Sequence, residues 1–80
     1  DWTIQLGAFA ARGRASTFAD DIRDAGFPPR VVQVEGSDLW RVRVGRFPDD
    51  ADARALYDRI RDAGFDAAIV PGADQELSGG

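Results

Sequence analysis

An α+β domain of element order β-α-β-β-α-β is predicted for this chain of 80 residues, and three observations predict it. The sequence matches itself at an offset of 38 residues without a gap. Each half opens on a run of apolar-polar alternation, the period of a strand buried on one face only. Each half then shows apolar residues at helical spacing, followed by a second extended run. The match is more than shared composition. Trp2 aligns with Trp40, Gly7 with Gly45, Phe9 with Phe47, Ala15 with Ala53 and Ile22 with Ile60. The run Arg23-Asp24-Ala25-Gly26-Phe27 recurs unchanged as Arg61-Asp62-Ala63-Gly64-Phe65, and Val32 returns as Val70. Two alanine-rich helices can share alanines by chance, but not Trp, Gly and Phe at one fixed offset.

The first strand is Trp2-Thr3-Ile4-Gln5-Leu6, expected to stop at Gly7, with Phe9 dropping back onto the core. A helix follows with Ala15, Phe18, Ile22 and Ala25 on its apolar stripe and Ser16 or a neighbour as its weak N-terminal cap. Gly26 is placed to end it in the left-handed conformation, with Phe27 supplying the hydrophobic contact such caps favour. Arg30-Val31-Val32-Gln33-Val34 reads as the second strand, and the turn cluster Glu35-Gly36-Ser37-Asp38 returns it as a hairpin. Trp40-Arg41-Val42-Arg43-Val44 is the third strand, stopped by Gly45. Asp49 or Asp50 caps a helix striped by Ala53, Leu56, Ile60 and Ala63, and Gly64 with Phe65 closes it. Ala67-Ala68-Ile69-Val70 is the fourth strand. Right-handed crossovers then favour a four-stranded antiparallel, ferredoxin-like sheet, with both helices on one face and the first and third strands central. Residues 1–71 form this domain, and 72–80 are expected to be a flexible, frayed tail.

Composition narrows the function. Ten basic and 14 acidic side chains give a net charge of −4, the wrong sign for a protein held to nucleic acid by phosphate neutralisation. With no Cys and no His, disulfides, thiolate zinc sites and the commonest general base are all excluded. The acidic residues Asp20, Asp21, Asp24, Asp58 and Asp62 alternate with Arg23, Arg59 and Arg61 on the helix backs, the pattern of a salt-bridged solvated surface. Ser16, Ser37 and Ser78 have no His or Lys to activate them. A binding module without cofactor or metal is therefore expected. No apolar run approaches the roughly 20 residues of a membrane span, and Asp1-Trp2 does not open a signal peptide. The chain is expected to sit within a longer protein, as a monomeric unit without membrane contact of its own.

The binding surface follows from parity. Helices cover one sheet face, so the polar positions of the central strands define the open one. By alternation Ile4, Leu6, Val42 and Val44 point at the helices, while Thr3, Gln5, Leu39, Arg41 and Arg43 point outward. Val31, Gln33 and Ile69 are expected to join them from the flanking strands. No acid shares the parity of Arg41 and Arg43, so a local positive patch is expected on an acidic chain. Planar donors, an amide and apolar rims suit a sugar or a peptide. Trp2 and Trp40 have two readings: core residues by alternation, or sugar-stacking platforms if they face out against it. An RNA-binding sheet of the same topology is disfavoured because no aromatic falls on the exposed parity. A protein-docking module stays open.

At these residues the chain resembles the SPOR (sporulation-related) domain of bacterial cell-division and cell-wall proteins. The resemblance rests on Ile4-Gln5-Leu6-Gly7-Ala8-Phe9 and on Leu39-Trp40-Arg41-Val42-Arg43-Val44-Gly45-Arg46-Phe47, each followed by a helix ending in Ala-Gly-Phe, and it covers residues 2–71. It implies a non-catalytic module of the cell envelope that binds septal peptidoglycan, on glycan strands stripped of their stem peptides, through the open sheet face. It further implies that Gln5 and Arg41 occupy the family's binding positions. Where the family often has Gly-Pro-Phe, this chain has Gly45-Arg46-Phe47, which adds a cation at the strand end. Stripping the peptide uncovers a lactyl carboxylate on muramic acid, and Arg41 and Arg43 are the expected partners of that anion, with Gln5 bonding an acetamido group.

Overall fold

The computed structural model describes residues 1–77. Its elements are β1 (Trp2–Phe9), α1 (Arg12–Asp24), β2 (Pro29–Val32), β3 (Trp40–Phe47), α2 (Asp50–Asp62) and β4 (Ala68–Pro71), followed by a short 3-10 turn at Ala73–Gln75. The strands form one antiparallel sheet in the order β2-β3-β1-β4, with the two long strands central as the repeat predicts. Among the described residues no helix is long and apolar enough to cross a membrane.

The core lies between the sheet and the helices. Ile4, Val42 and Val44 from the sheet meet Ala15, Ile22, Ala53 and Ile60 from the helices, all fully buried. Each buried Ile side chain contributes about 1.5–3 kcal/mol of hydrophobic free energy. Alanines on both helix stripes let the helices sit close to the sheet, and the larger rings of Phe9, Phe18, Phe47 and Phe65 seal the edges of this layer. Phe18 stacks against Phe9 and Phe65, with ring centroids 5.5 and 6.1 Å away.

The helix ends follow the sequence closely at three of four places. Gly26 and Gly64 both take φ of +98°. Phe27 donates its amide to the Ile22 carbonyl and Gly26 to that of Arg23, and the second helix repeats this with Phe65 to Ile60 and Gly64 to Arg61. This is the Schellman arrangement, which satisfies carbonyls that a helix end otherwise leaves open. Asp49 caps α2, its side chain accepting from the Asp52 amide at 3.0 Å. The expected cap at Ser16 does not form: α1 begins earlier, behind Ala11, with no side-chain cap.

Both central strands run past the glycines expected to end them. Gly7 and Gly45 stay in the sheet and serve as seats for an aromatic ring. A Cβ added at Gly45 would lie 2.7 Å from the Phe47 ring, and one at Gly7 would lie 2.9 Å from the Phe9 ring. Gly45 also has φ of +77°, and the β1–β3 register slips there, between Trp2↔Phe47 and Ile4↔Val44. A left-handed glycine opening a bulge is the geometry that adds a residue to one strand and bends it. A second register shift between Gln5 and Gly7 keeps both Leu6 and Gly7 on the helix side.

The short edge strands differ from expectation in phase. Val31 pairs with Val42, and Ile69 pairs with Ile4. Both therefore pack against the core and leave the open face, where they were expected. Continuous apolar runs carry no alternation, so only the register against a neighbour fixes which residue faces in.

Candidate functional site

The face of the sheet away from the helices is built from alternate residues of all four strands. Its central row is Arg30 on β2, Arg43 on β3, Gln5 on β1 and Ala68 on β4, read from the pairings Arg30↔Arg43, Gln5↔Arg43 and Gln5↔Ala68. The next row carries Val32, Arg41 and Ala8. Three guanidiniums thus stand on one face. Parity placed Arg41 and Arg43 correctly, along with Gln5 and Thr3. Arg30 joins them although parity assigned Val31 and Gln33 to this face; the register against β3, Arg30↔Arg43 and Val31↔Val42, is what places it there.

The segment after Pro71, expected to fray, instead lies across this face as far as Leu77. Ser78, Gly79 and Gly80 fall outside the described residues. The segment leaves the β4 edge with Gly72 at φ +83°, where the amides of Gly72 and Ala73 both donate to the Asp1 carbonyl. It reaches the opposite edge at Val34, which forms an antiparallel bridge with Glu76. There the Glu35 amide donates to the Gln75 carbonyl, and the Leu77 amide to that of Gln33, at 3.1 and 2.8 Å. Between the edges Ala73 is fully buried, and Arg46 donates to its carbonyl at 2.6 Å. The cation found where the family often has proline therefore holds this strap.

Glu76 brings an acid into a patch expected to have none. Arg30 grips its carboxylate with two parallel bonds, Nε to Oε1 at 2.7 Å and Nη2 to Oε2 at 2.6 Å. Arg43 adds a third bond from Nη1 to Oε2 at 3.0 Å and donates from Nε to the Gln5 amide oxygen at 3.1 Å. The Arg43 and Glu76 side chains are only 5% and 9% exposed. Burial by itself would raise the Glu76 carboxyl, but the hydrogen bonds and charges of Arg30 and Arg43 outweigh it and hold the group below the ordinary glutamate range. Thr3, expected to point into water, is on the predicted face yet fully buried. Its hydroxyl donates to the Gly45 carbonyl at 2.6 Å and accepts from Arg30 Nη2 at 3.0 Å.

Arg41 is in a different position. It makes no ion pair among the described residues; its one side-chain partner is the Ser37 hydroxyl in the preceding turn, 3.2 Å from Nη2. Its Nε is buried without an acceptor, an open donor of the kind that costs free energy until something satisfies it. Leu39 is 39% exposed beside it, as its parity predicts. Gln33, expected on the face, turns its side chain into the hairpin and donates to the Asp38 carbonyl at 2.9 Å. Trp40 faces the helices, half-buried against the core with the Arg12 guanidinium 5.0 Å from its ring centre. Its core reading holds, and its place among the open-face candidates is corrected. Trp2 lines one cavity with Asp50, Ala51 and Arg54 of α2, so it too is on the helix side.

This arrangement can recognise an anionic or amide-bearing ligand by forked donors over a shallow, polar surface.

Comparison with known proteins is consistent with this geometry. The family model described as the SPOR domain matches residues 1–71. The solution structure of the peptidoglycan-binding domain of the Bacillus subtilis cell wall lytic enzyme CwlC superposes with a TM-score of 0.71 at 32% identity, covering 86% of this chain and 85% of that one. A crystal structure of a Burkholderia pseudomallei protein gives a TM-score of 0.78 at 27% identity, over 86% of this chain but 15% of the longer one. No curated protein sequence matches. The family frame spans all four strands and both helices, and it stops where the strap begins: the chain belongs to the SPOR domain family.

Proposed function

We propose that this domain is a non-catalytic peptidoglycan-binding module, and that it takes denuded glycan strands at the division septum on the open face of its sheet. Binding of peptidoglycan is supported by membership of the SPOR family and by the stated ligand of the CwlC domain. The preference for denuded strands rests on Arg41. Its guanidinium makes no ion pair among the described residues and bonds only the Ser37 hydroxyl through Nη2, which suits it to the lactyl carboxylate that appears on muramic acid when the stem peptide is removed. Gln5, half-buried in the neighbouring row, is placed for an acetamido group. The domain then acts outside the cytoplasm, as one targeting unit of a larger cell-wall protein. An RNA-binding reading has little support, because the rings of Trp2, Phe9, Trp40 and Phe47 all lie on the helix side of the sheet.

The test compares retention on sacculi with and without amidase treatment. Arg41→Ala should lose about five- to thirty-fold in affinity for treated sacculi, the worth of one partly exposed charged contact of 1–2 kcal/mol. Arg59→Ala, on the back of α2, should retain full binding. Equal retention of both variants, or equal binding to treated and untreated sacculi, would refute the assignment.

A further inference from the structure

Arg30 and Arg43 hold a carboxylate that belongs to the chain itself. The grip is the one expected for a ligand carboxylate, with a forked pair from Arg30 and a third bond from Arg43. The segment that delivers it lies beyond the matched family frame, and all four strands and both helices precede it. Little apolar surface fixes the strap: Ala73 is buried, but Leu77 is 47% exposed. Its hold comes from backbone bonds at its two ends, from Arg46 on the Ala73 carbonyl and from the Glu76 ion pairs, and a competing carboxylate on the same guanidiniums replaces the ion pairs. Gly72, left-handed at the start of the strap, gives the chain a place to swing.

We propose that residues 72–77 are a displaceable strap in which Glu76 occupies a second carboxylate subsite, formed by Arg30 and Arg43, so that glycan carboxylate and strap compete for it. The competition rests on the glycan-binding reading above; the subsite and its intramolecular occupant are additional to it. With the strap docked, the face offers Arg41 and Gln5. With the strap lifted, it offers Arg30 and Arg43 as well, two further cations for a second carboxylate along a glycan strand. The strap therefore sets how many disaccharides the domain can engage.

The chain has no native cysteine, which allows a clean lock. Val34 and Glu76 form a non-hydrogen-bonded antiparallel pair, with their flanking residues exchanging the bonds. Such pairs have Cα atoms about 4.5 Å apart, within the rough 4.4–6.8 Å range of disulfides. The probes are denuded glycan and a chitin oligosaccharide of equal length, which lacks the carboxylate. Glu76→Gln, and the reduced form of Val34→Cys/Glu76→Cys, should bind denuded glycan about three- to ten-fold more tightly than the parent, as expected when a docked competitor is removed. Oxidation of the same double variant should return binding to the parent level or below. Binding to the chitin oligosaccharide should stay unchanged throughout. In the parent chain, saturating denuded glycan should also raise hydrogen exchange at the Glu35 and Leu77 amides. If the glycan saturates the parent while those amides stay protected, or if the reduced and oxidised forms bind alike, the strap proposal fails and the glycan reading stands. If neither the parent nor the opened variants bind treated sacculi, the glycan reading fails and the competition falls with it.

Discussion

Arg41 and Arg43 stand two residues apart on the same strand and the same face, and they live in different environments. Arg43 is almost wholly covered, bonded at once to Glu76 and Gln5. Among the described residues Arg41 has one hydroxyl for a side-chain partner and a guanidinium nitrogen with none. Strand alternation makes the two equivalent; the strap makes one structural and leaves the other available. The same residue type on one parity can thus serve stability or recognition, depending on what the rest of the chain lays over it.

The largest expected effect breaks the comparison at its foundation. Gly45→Ala forces a side chain into a left-handed backbone and against the Phe47 ring, and it should cost roughly 2–4 kcal/mol in denaturant unfolding. It also disturbs the bulge whose carbonyl receives both Thr3 and Arg30. Gly7→Ala, without a positive φ, should cost less, and an equal loss at both sites would show that ring overlap alone decides.

Next come the arginines themselves. Arg43→Ala removes one charged bond from Glu76 and one from Gln5 while Arg30 remains, so about 1–3 kcal/mol should be lost from folding or strap docking. Arg41→Ala should change stability by less than about 0.5 kcal/mol, its effect appearing in glycan retention instead. A chemical melt of both variants would separate the two roles, and equal destabilisation would merge them.

Acid should sharpen the contrast by releasing only one end of the face. The Glu76 carboxyl is held below its ordinary range, so it is ionised in the folded domain down to lower pH than in the unfolded chain. Its contribution is therefore complete above the ordinary glutamate range and is lost as pH falls through the lowered value. The charged groups facing it are Arg30 from β2 and Arg43 from β3; farther along the strap Arg46 and Asp1 pair at 3.5 Å. The Glu35 and Leu77 amides should lose exchange protection in acid while core amides such as Val42 keep theirs. Protection lost together across the sheet would mean that the strap and the core unfold as one.

Much of this molecule is legible in its sequence. The offset of 38 residues fixed the element order, and alternation in Trp40–Val44 oriented β3 correctly because polar and apolar residues strictly alternate there. The glycine-phenylalanine pairs located both helix ends. The edge strands were misphased because Val31-Val32 and Ala67-Ala68-Ile69-Val70 have no alternation to read. Arg46 stood out as a departure from the family pattern, but its partner, the Ala73 carbonyl, lies 27 residues away and no local rule connects them.

What the sequence by itself determined is the duplicated frame, the helix-facing core and the arginine-bearing face, since these follow from local periods of 2 and 3.6 residues and from glycine's access to positive φ. Only the tertiary structure decided that Arg30 joins that face, that Glu76 crosses the sheet to meet it, and that Arg41 alone of the three guanidiniums pairs with no acid among the described residues. Those outcomes depend on strand register and on a segment with no periodicity of its own, held by ion pairs between residues 33 and 46 positions apart. Hydrogen bonds and charge at that separation are satisfied by the fold as a whole, and no stretch of chain encodes them locally.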